Sequence, residues 1–147
     1  MATADDGLNV GLLLFIPYRA LETRVFRALA EAGFDDFTPA QARVMQRIGP
    51  EGSRLTQLAE AAQVTKQTAG FLVDQLERAG YVRRTPDPTD ARARLVRIAE
   101  RGAAAQPVAA AVIAEIEEEW RAHLGTRRWE QLRDALTRLR EITDPYR

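Results

Sequence analysis

The stretch YVRRTPDPTDARARLVRI (81–98) decides the fold of this chain. Two short runs of β-type residues flank a tip of Pro, Asp and Thr, and five arginines, Arg83, Arg84, Arg92, Arg94 and Arg97, lie in it. Strand-forming runs on either side of such a tip predict a β-hairpin. Immediately upstream, LTQLAEAAQVTKQTAGFLVDQLERAG (55–80) reads as two short amphipathic helices with a tight break between them. A helix pair followed by a basic hairpin is the layout of a winged helix-turn-helix. The second helix can enter a DNA major groove while the hairpin, the wing, reaches the backbone or minor groove.

Within the helix pair, Leu58, Ala59, Ala62, Val64, Ala69, Leu72, Val73 and Leu76 recur at helical spacing and predict the small core between the two helices. The outward face of the second helix then carries Lys66, Gln67, Gly70, Phe71 and Asp74. Thr65 caps that helix and Gly80 ends it. Lys66, the one lysine of the chain, sits at the helix N-terminus, where the helix dipole already favours phosphate. Gln67 can pair bidentately with adenine, Thr68 can reach a phosphate or a base edge, and the apolar ring of Phe71 can pack on a thymine methyl. In the wing, Arg92 lies just past the tip, where a guanidinium can enter a narrow minor groove. Arg94 and Arg84 belong to the same basic set. Asp90 cannot favour DNA directly and is expected to pair with an arginine and fix the loop. The predicted DNA-contacting set is therefore Thr65, Lys66, Gln67, Thr68, Gly70, Phe71, Arg84, Asp90, Arg92 and Arg94.

Outward from this centre the chain is helical. Residues 8–32 predict a long helix, kinked or started late at Pro17 and ended by Gly33. Thr38 as N-cap with Pro39 at the first helical position opens a helix to about Ile48, stopped by Gly49-Pro50. Residues 51–54 read as a turn. Past the hairpin, a helix from about Glu100 to His123 carries Val108, Val112, Ile116, Trp120 and Leu124 at spacing four. A last helix, capped by Thr126 and ended by Pro145, carries Trp129, Leu132, Leu136, Leu139 and Ile142. The expected fold is mainly α with a small β-hairpin wing. It forms one domain over 1–147, with a winged helix (37–98) between terminal helices (8–32 and 100–147). The terminal stripes would leave apolar area exposed in a monomer, so they predict pairing with a second subunit.

Composition narrows the function. The chain has 147 residues, 46% apolar and 29% charged, enough for a single domain that buries roughly 68–70% of its unfolded surface. It has no cysteine, which excludes disulfides and thiolate metal sites. His123, the one histidine, reads as a helix surface or interface residue, and no cofactor or metal is expected. There is no phosphate-binding glycine loop and no nucleophile elbow, so an enzyme is not expected. The longest apolar run, near Val10–Pro17, is too short to span a bilayer, and a soluble, cytoplasmic protein is expected. Net charge is zero, but residues 54–101 hold nine basic and six acidic side chains. A positive zone thus lies inside a slightly acidic frame.

The segments LTQLAEAAQVTKQTAGFLVDQLERAGYVRR and DPTDARARLVRI, the ERG at 100–102, and the earlier FTPAQARVMQRI resemble the MarR family of bacterial transcription regulators. The resemblance covers about residues 10–142. It implies a two-fold dimer built from the terminal helices, with one winged helix per subunit on a near-palindromic double-stranded operator. It also implies repression relieved by a small, often aromatic or phenolic, effector bound where the dimer scaffold meets the DNA-reading part. Several positions depart from the pattern. Gly70 and Phe71 stand where Ser or Thr and then Arg are usual, and Gln75 replaces another common arginine. Gln63 holds a turn position usually given to Gly. Ala91 replaces the first of two wing arginines, with Arg92 matching the second, and Ala99 stands in place of a capping Thr. Phe15, Tyr18 and Arg19 on the first helix, with Arg43 on the second, are candidates for an effector site: aromatic walls and a cation for a carboxylate or phenolate. The competing reading is a winged-helix protein-interaction module that has lost DNA binding.

Overall fold

The computed structural model describes residues 7–144. Six helices and one hairpin follow one another as α1 (Val10–Glu31), α2 (Pro39–Met45), α3 (Leu55–Ala61), α4 (Lys66–Arg78), β1 (Val82–Asp87), β2 (Asp90–Ile98), α5 (Glu100–Leu124) and α6 (Thr126–Thr143). The strands pair antiparallel, from Val82 opposite Ile98 to Asp87 opposite Asp90, with an irregularity between Pro86 and Asp87. Ser53 adds a single bridge to Val96 on the outer edge of β2. The 51–54 segment is thus a turn that ends as a one-residue third strand. This is the mainly α, winged helix-turn-helix architecture that the sequence predicts.

Local chemistry explains the boundaries. The Thr38 hydroxyl accepts from the Gln41 N–H while the Gln41 side chain accepts from the Thr38 N–H, a capping box with Pro39 at the first helical position. α2 stops at Met45 rather than Ile48, and the chain turns before Gly49-Pro50 is reached. Pro17 lies inside α1, which starts at Val10 behind an Asn9 cap. The late start is therefore not realised. Thr126 is the first residue of α6 and not its cap. Gly125, at φ 86°, holds that position and offers no side chain. Pro145 lies outside the described residues.

The core draws on every part of the winged helix and on the scaffold beneath it. Leu58, Leu72, Val73, Leu76, Tyr81, Val82 and Val96 pack with Val44 and Met45, and also with Leu29 of α1 and Ala105 of α5. The approach of α5 to β1 depends on Gly102. A Cβ there would stand 2.3 Å from the Tyr81 carbonyl oxygen. Tyr81 is fully buried, and its hydroxyl donates to Asp36. Arg101 donates to Asp36 at 2.7 Å and to the Ala79 carbonyl at 3.0 Å while stacking 4.4 Å from the Tyr81 ring centre. This cluster ties the α1–α2 connection, the end of α4 and the start of α5 together. Burial pushes the Tyr81 phenol up, and the neighbouring Asp36 pushes it further. Burial alone would raise the Asp36 carboxyl, but hydrogen bonds from Tyr81 and Arg101 outweigh it and hold the group below its usual range.

α6 buries no residue of its own. Leu132, Leu136, Leu139 and Ile142 on α6 and Leu12, Leu13, Leu14, Phe15 and Ile16 on α1 are exposed. No helix among the described residues is long and apolar enough to cross a membrane.

Candidate nucleic-acid interface

α4 is amphipathic in the expected phase. Ala69, Leu72, Val73 and Leu76 are buried, while Lys66, Gln67, Thr68, Phe71 and Asp74 are exposed. The Thr65 hydroxyl accepts from the Thr68 N–H at 3.1 Å and donates to the Thr68 hydroxyl at 2.9 Å, so Thr65 works as the helix cap. Phe71 is 57% exposed and does not fold back onto its own domain. Gly70 is only half exposed. A Cβ there would meet Leu55 Cδ2 at 3.6 Å, so this position faces α3 and not the open side of α4.

The arginines of the hairpin divide into two groups. Arg84 is mostly covered and makes ion pairs with Asp74 at 2.8 Å and Glu77 at 3.0 Å. Its guanidinium clamps β1 to α4. Arg97 donates to the Thr85 hydroxyl across the hairpin at 3.0 Å. Arg83, Arg92 and Arg94 are exposed and have no ion-pair partner among the described residues. Lys66, at the N-terminus of α4, is likewise unpaired. These are the cations that a phosphate backbone can recruit without breaking an existing bond.

The tip is held by a residue that sequence reasoning missed. Asp87, 7% exposed, accepts from the Thr89 N–H at 2.8 Å, from the Thr89 hydroxyl at 2.7 Å and from Arg54 at 2.8 Å. The Thr89 bonds, first from the backbone and then from the hydroxyl, hold its carboxyl down at about 2, helped by Arg54. Asp90 was expected to be the arginine partner. It forms a longer ion pair with Arg54, at 3.9 Å, and also accepts the Arg92 N–H at 3.0 Å, so it shares the holding of the tip with Asp87. Asp87-Pro-Thr was the available signal, since an Asp two residues before a Thr often closes an Asx turn. The partner Arg54 is 33 positions away, which no local pattern reports.

This geometry has relatives. The MarR family model matches residues 35–93. These residues are a MarR-family winged helix. The family's fold extends over nearly the whole chain. A crystal structure of MarR, 25% identical, superposes with a TM-score of 0.73 over 92% of this chain and 98% of that one. CouR from Rhodococcus jostii, solved with p-coumaroyl-CoA, is 26% identical, with a TM-score of 0.72 over 99% of this chain and 96% of that one. A MepR variant from S. aureus bound to an oligodeoxyribonucleotide, 19% identical, shares the fold, with a TM-score of 0.59 over 93% of this chain and 99% of that one. No curated protein sequence matches the chain closely enough to carry an argument.

Between α1, α2 and α5 the MarR-like scaffold forms an open-sided cavity of about 210 Å³, lined by Tyr18, Glu22, Phe26, Leu29, Met45 and Ile113 among others. Of the residues expected at an effector site, Tyr18 lines it and Phe15 does not. Phe15 is 53% exposed, on the uncovered half of α1. Arg19 and Arg43 reach the cavity through Glu22, a buried acid that the sequence did not single out. Its carboxylate accepts from the Tyr18 hydroxyl at 2.9 Å, from Arg19 at 3.0 Å and from Arg43 at 3.4 Å. The cation sites predicted for a ligand acid are therefore already matched by an internal one.

Proposed function

We propose that this MarR-family protein is a homodimeric, sequence-specific DNA-binding transcription regulator whose grip on DNA responds to a small aromatic or phenolic effector. The observation that carries the reading is the asymmetry of α4 and the wing. One side of α4 is buried core, and the other presents Lys66, Gln67, Thr68 and Phe71 to solvent, with Arg92 and Arg94 unpaired on β2. α4 fits a major groove from its N-terminal half, with Thr65 holding that end, and the wing arginines reach phosphate or the minor groove. Arg84 and Asp90 serve by positioning α4 and the tip rather than by touching DNA, and Gly70 by admitting α3. A protein of the same fold, a MepR variant, has been solved bound to an oligodeoxyribonucleotide, which supports DNA as the partner.

A second copy covers the apolar faces of α1 and α6 that stay exposed among the described residues. The effector occupies the cavity beside Glu22. Its ring lies against Phe26, Leu29 and Met45, and a phenolic hydroxyl donates to the Glu22 carboxylate. CouR, crystallised with p-coumaroyl-CoA, supports an aromatic ligand on this fold.

DNA binding followed across salt concentration tests the central claim. Log affinity should fall linearly and steeply with log salt, because lysine and arginine contacts release counterions. A flat response would replace the regulator with the protein-interaction module.

A further inference from the structure

We propose that Phe71 reads the 5-methyl group of a thymine at one position in each half-site, beside a base contacted by Gln67. The inference rests on the DNA-binding reading above. It comes from asking which side chains in the first three turns of α4 are left to read bases. Asp74 is engaged by Arg84 at 2.8 Å, which turns its charge toward β1. Gln75 accepts from the Gln41 side chain at 3.0 Å and is thereby turned toward α2. Gly70 lies beneath Leu55. Thr65 and Thr68 are bonded to each other at the cap. Of the side chains that follow the cap, Lys66, Gln67 and Phe71 are exposed and make no hydrogen bond or ion pair among the described residues. With Lys66 assigned to phosphate at the helix N-terminus, Gln67 and Phe71 remain.

These two lie one turn apart. Four residues along a helix advance about 6 Å, and stacked base pairs repeat every ~3.4 Å. Phe71 therefore meets a base within about two pairs of the one facing Gln67. A phenyl ring forms no hydrogen bond with a base edge. The apolar group that the major groove offers it is the thymine methyl, which sits on the groove floor beside acceptors and donors that Gln67 can read. Covering that methyl also withdraws the ring, 57% exposed in the free protein, from water. The charge pattern agrees. Asp74, one turn beyond Phe71, would repel phosphate if unpaired, and the Arg84 clamp neutralises it.

The test uses the full-length protein and its preferred site, selected from random DNA. Each thymine of that site is replaced in turn by deoxyuridine, which removes the methyl and nothing else. In wild type, one thymine per half-site should be sensitive, at about fourfold loss of affinity for each methyl removed. Phe71→Ala should bind the unmodified site more weakly, keep the wild-type melting temperature, and lose its sensitivity at that thymine alone. If no thymine is sensitive in wild type, or if Phe71→Ala retains the same deoxyuridine penalty, the Phe71 assignment is overturned while DNA binding stands. If wild type shows no salt-dependent binding to any DNA, the DNA-binding reading itself fails and takes this inference with it.

Discussion

Arg92 and Gln63 show how much a single residue's setting matters. Arg92 lies just past the wing tip. Its N–H is held by Asp90, and its side chain is exposed and unpaired. Arg92→Ala should weaken DNA binding by about 1–3 kcal/mol per subunit and leave dimerisation and helicity intact. Unchanged affinity at moderate salt would remove the wing from the interface. Gln63 closes the α3–α4 turn at φ 59°, a left-handed conformation that a side chain adopts at a cost. Its amide donates to the Glu60 carbonyl at 2.9 Å, which recovers part of that cost. Gln63→Gly should raise stability by up to about 1 kcal/mol, since it removes the ~1–2 kcal/mol cost of a left-handed side-chain residue against about 0.4–1 kcal/mol of added unfolded-chain freedom. Chemical denaturation would show it, and a destabilised variant would mean that the Glu60 contact outweighs the backbone strain.

At the scale of elements, two junctions hold the winged helix in shape. The first is the contact of α5 with β1 at Gly102. Gly102→Ala would thrust a methyl against the Tyr81 carbonyl, with Ile98 and Met45 closing in at 3.1 and 3.3 Å. Helix propensity favours alanine, but overpacking dominates, and a loss of about 1–3 kcal/mol is expected in thermal or denaturant unfolding. A more stable variant would show that α5 can slide. The second junction is the wing tip at Asp87. Its folded carboxyl titrates at about 2, below the ordinary 3.8. Its contribution is therefore complete above pH 3.8 and is lost as pH falls toward 2. The Thr89 amide proton, bonded to Asp87, should report this in an NMR titration with a midpoint near 2. A midpoint at or above 3.8 would show that the tip is not held by this carboxylate.

For the whole molecule, the uncovered faces of α1 and α6 are the deciding feature. Leu136 and Leu139 are 39% and 45% exposed on a helix with no fully buried residue among the described residues. Leu136→Glu should convert a dimer into a monomer on sedimentation and leave the helical content unchanged. It should also abolish tight DNA binding, because two reading helices then act separately. The wild-type footprint should span two half-sites about 10 bp apart, centre to centre. A wild-type protein that sediments as a monomer at micromolar concentration would contradict the arrangement.

The winged helix was legible in the sequence because its signals are local. The Thr38-Pro39 and Thr65 caps, the amphipathic phase of α4 and the Pro/Asp/Thr tip each act within a few residues, where backbone sterics and side-chain periodicity decide the outcome. That phase also placed Lys66, Gln67, Thr68 and Phe71 on the open side of α4. What only the tertiary structure decided are meetings between distant residues. Asp87 with Arg54, Asp74 and Glu77 with Arg84, and Tyr81 with Asp36 and Arg101 leave no periodic trace, since an ion pair or buried hydroxyl needs its partner in space and not at a set spacing. Helix ends set by glycine geometry or by packing, at Met45 and Gly125, were misplaced for a related reason. Glu22 is the sharpest case. In sequence it is one acid on a mixed helix, and only the packing of α1 against α2 and α5 turns it into the polar end of a cavity, matched by Tyr18, Arg19 and Arg43.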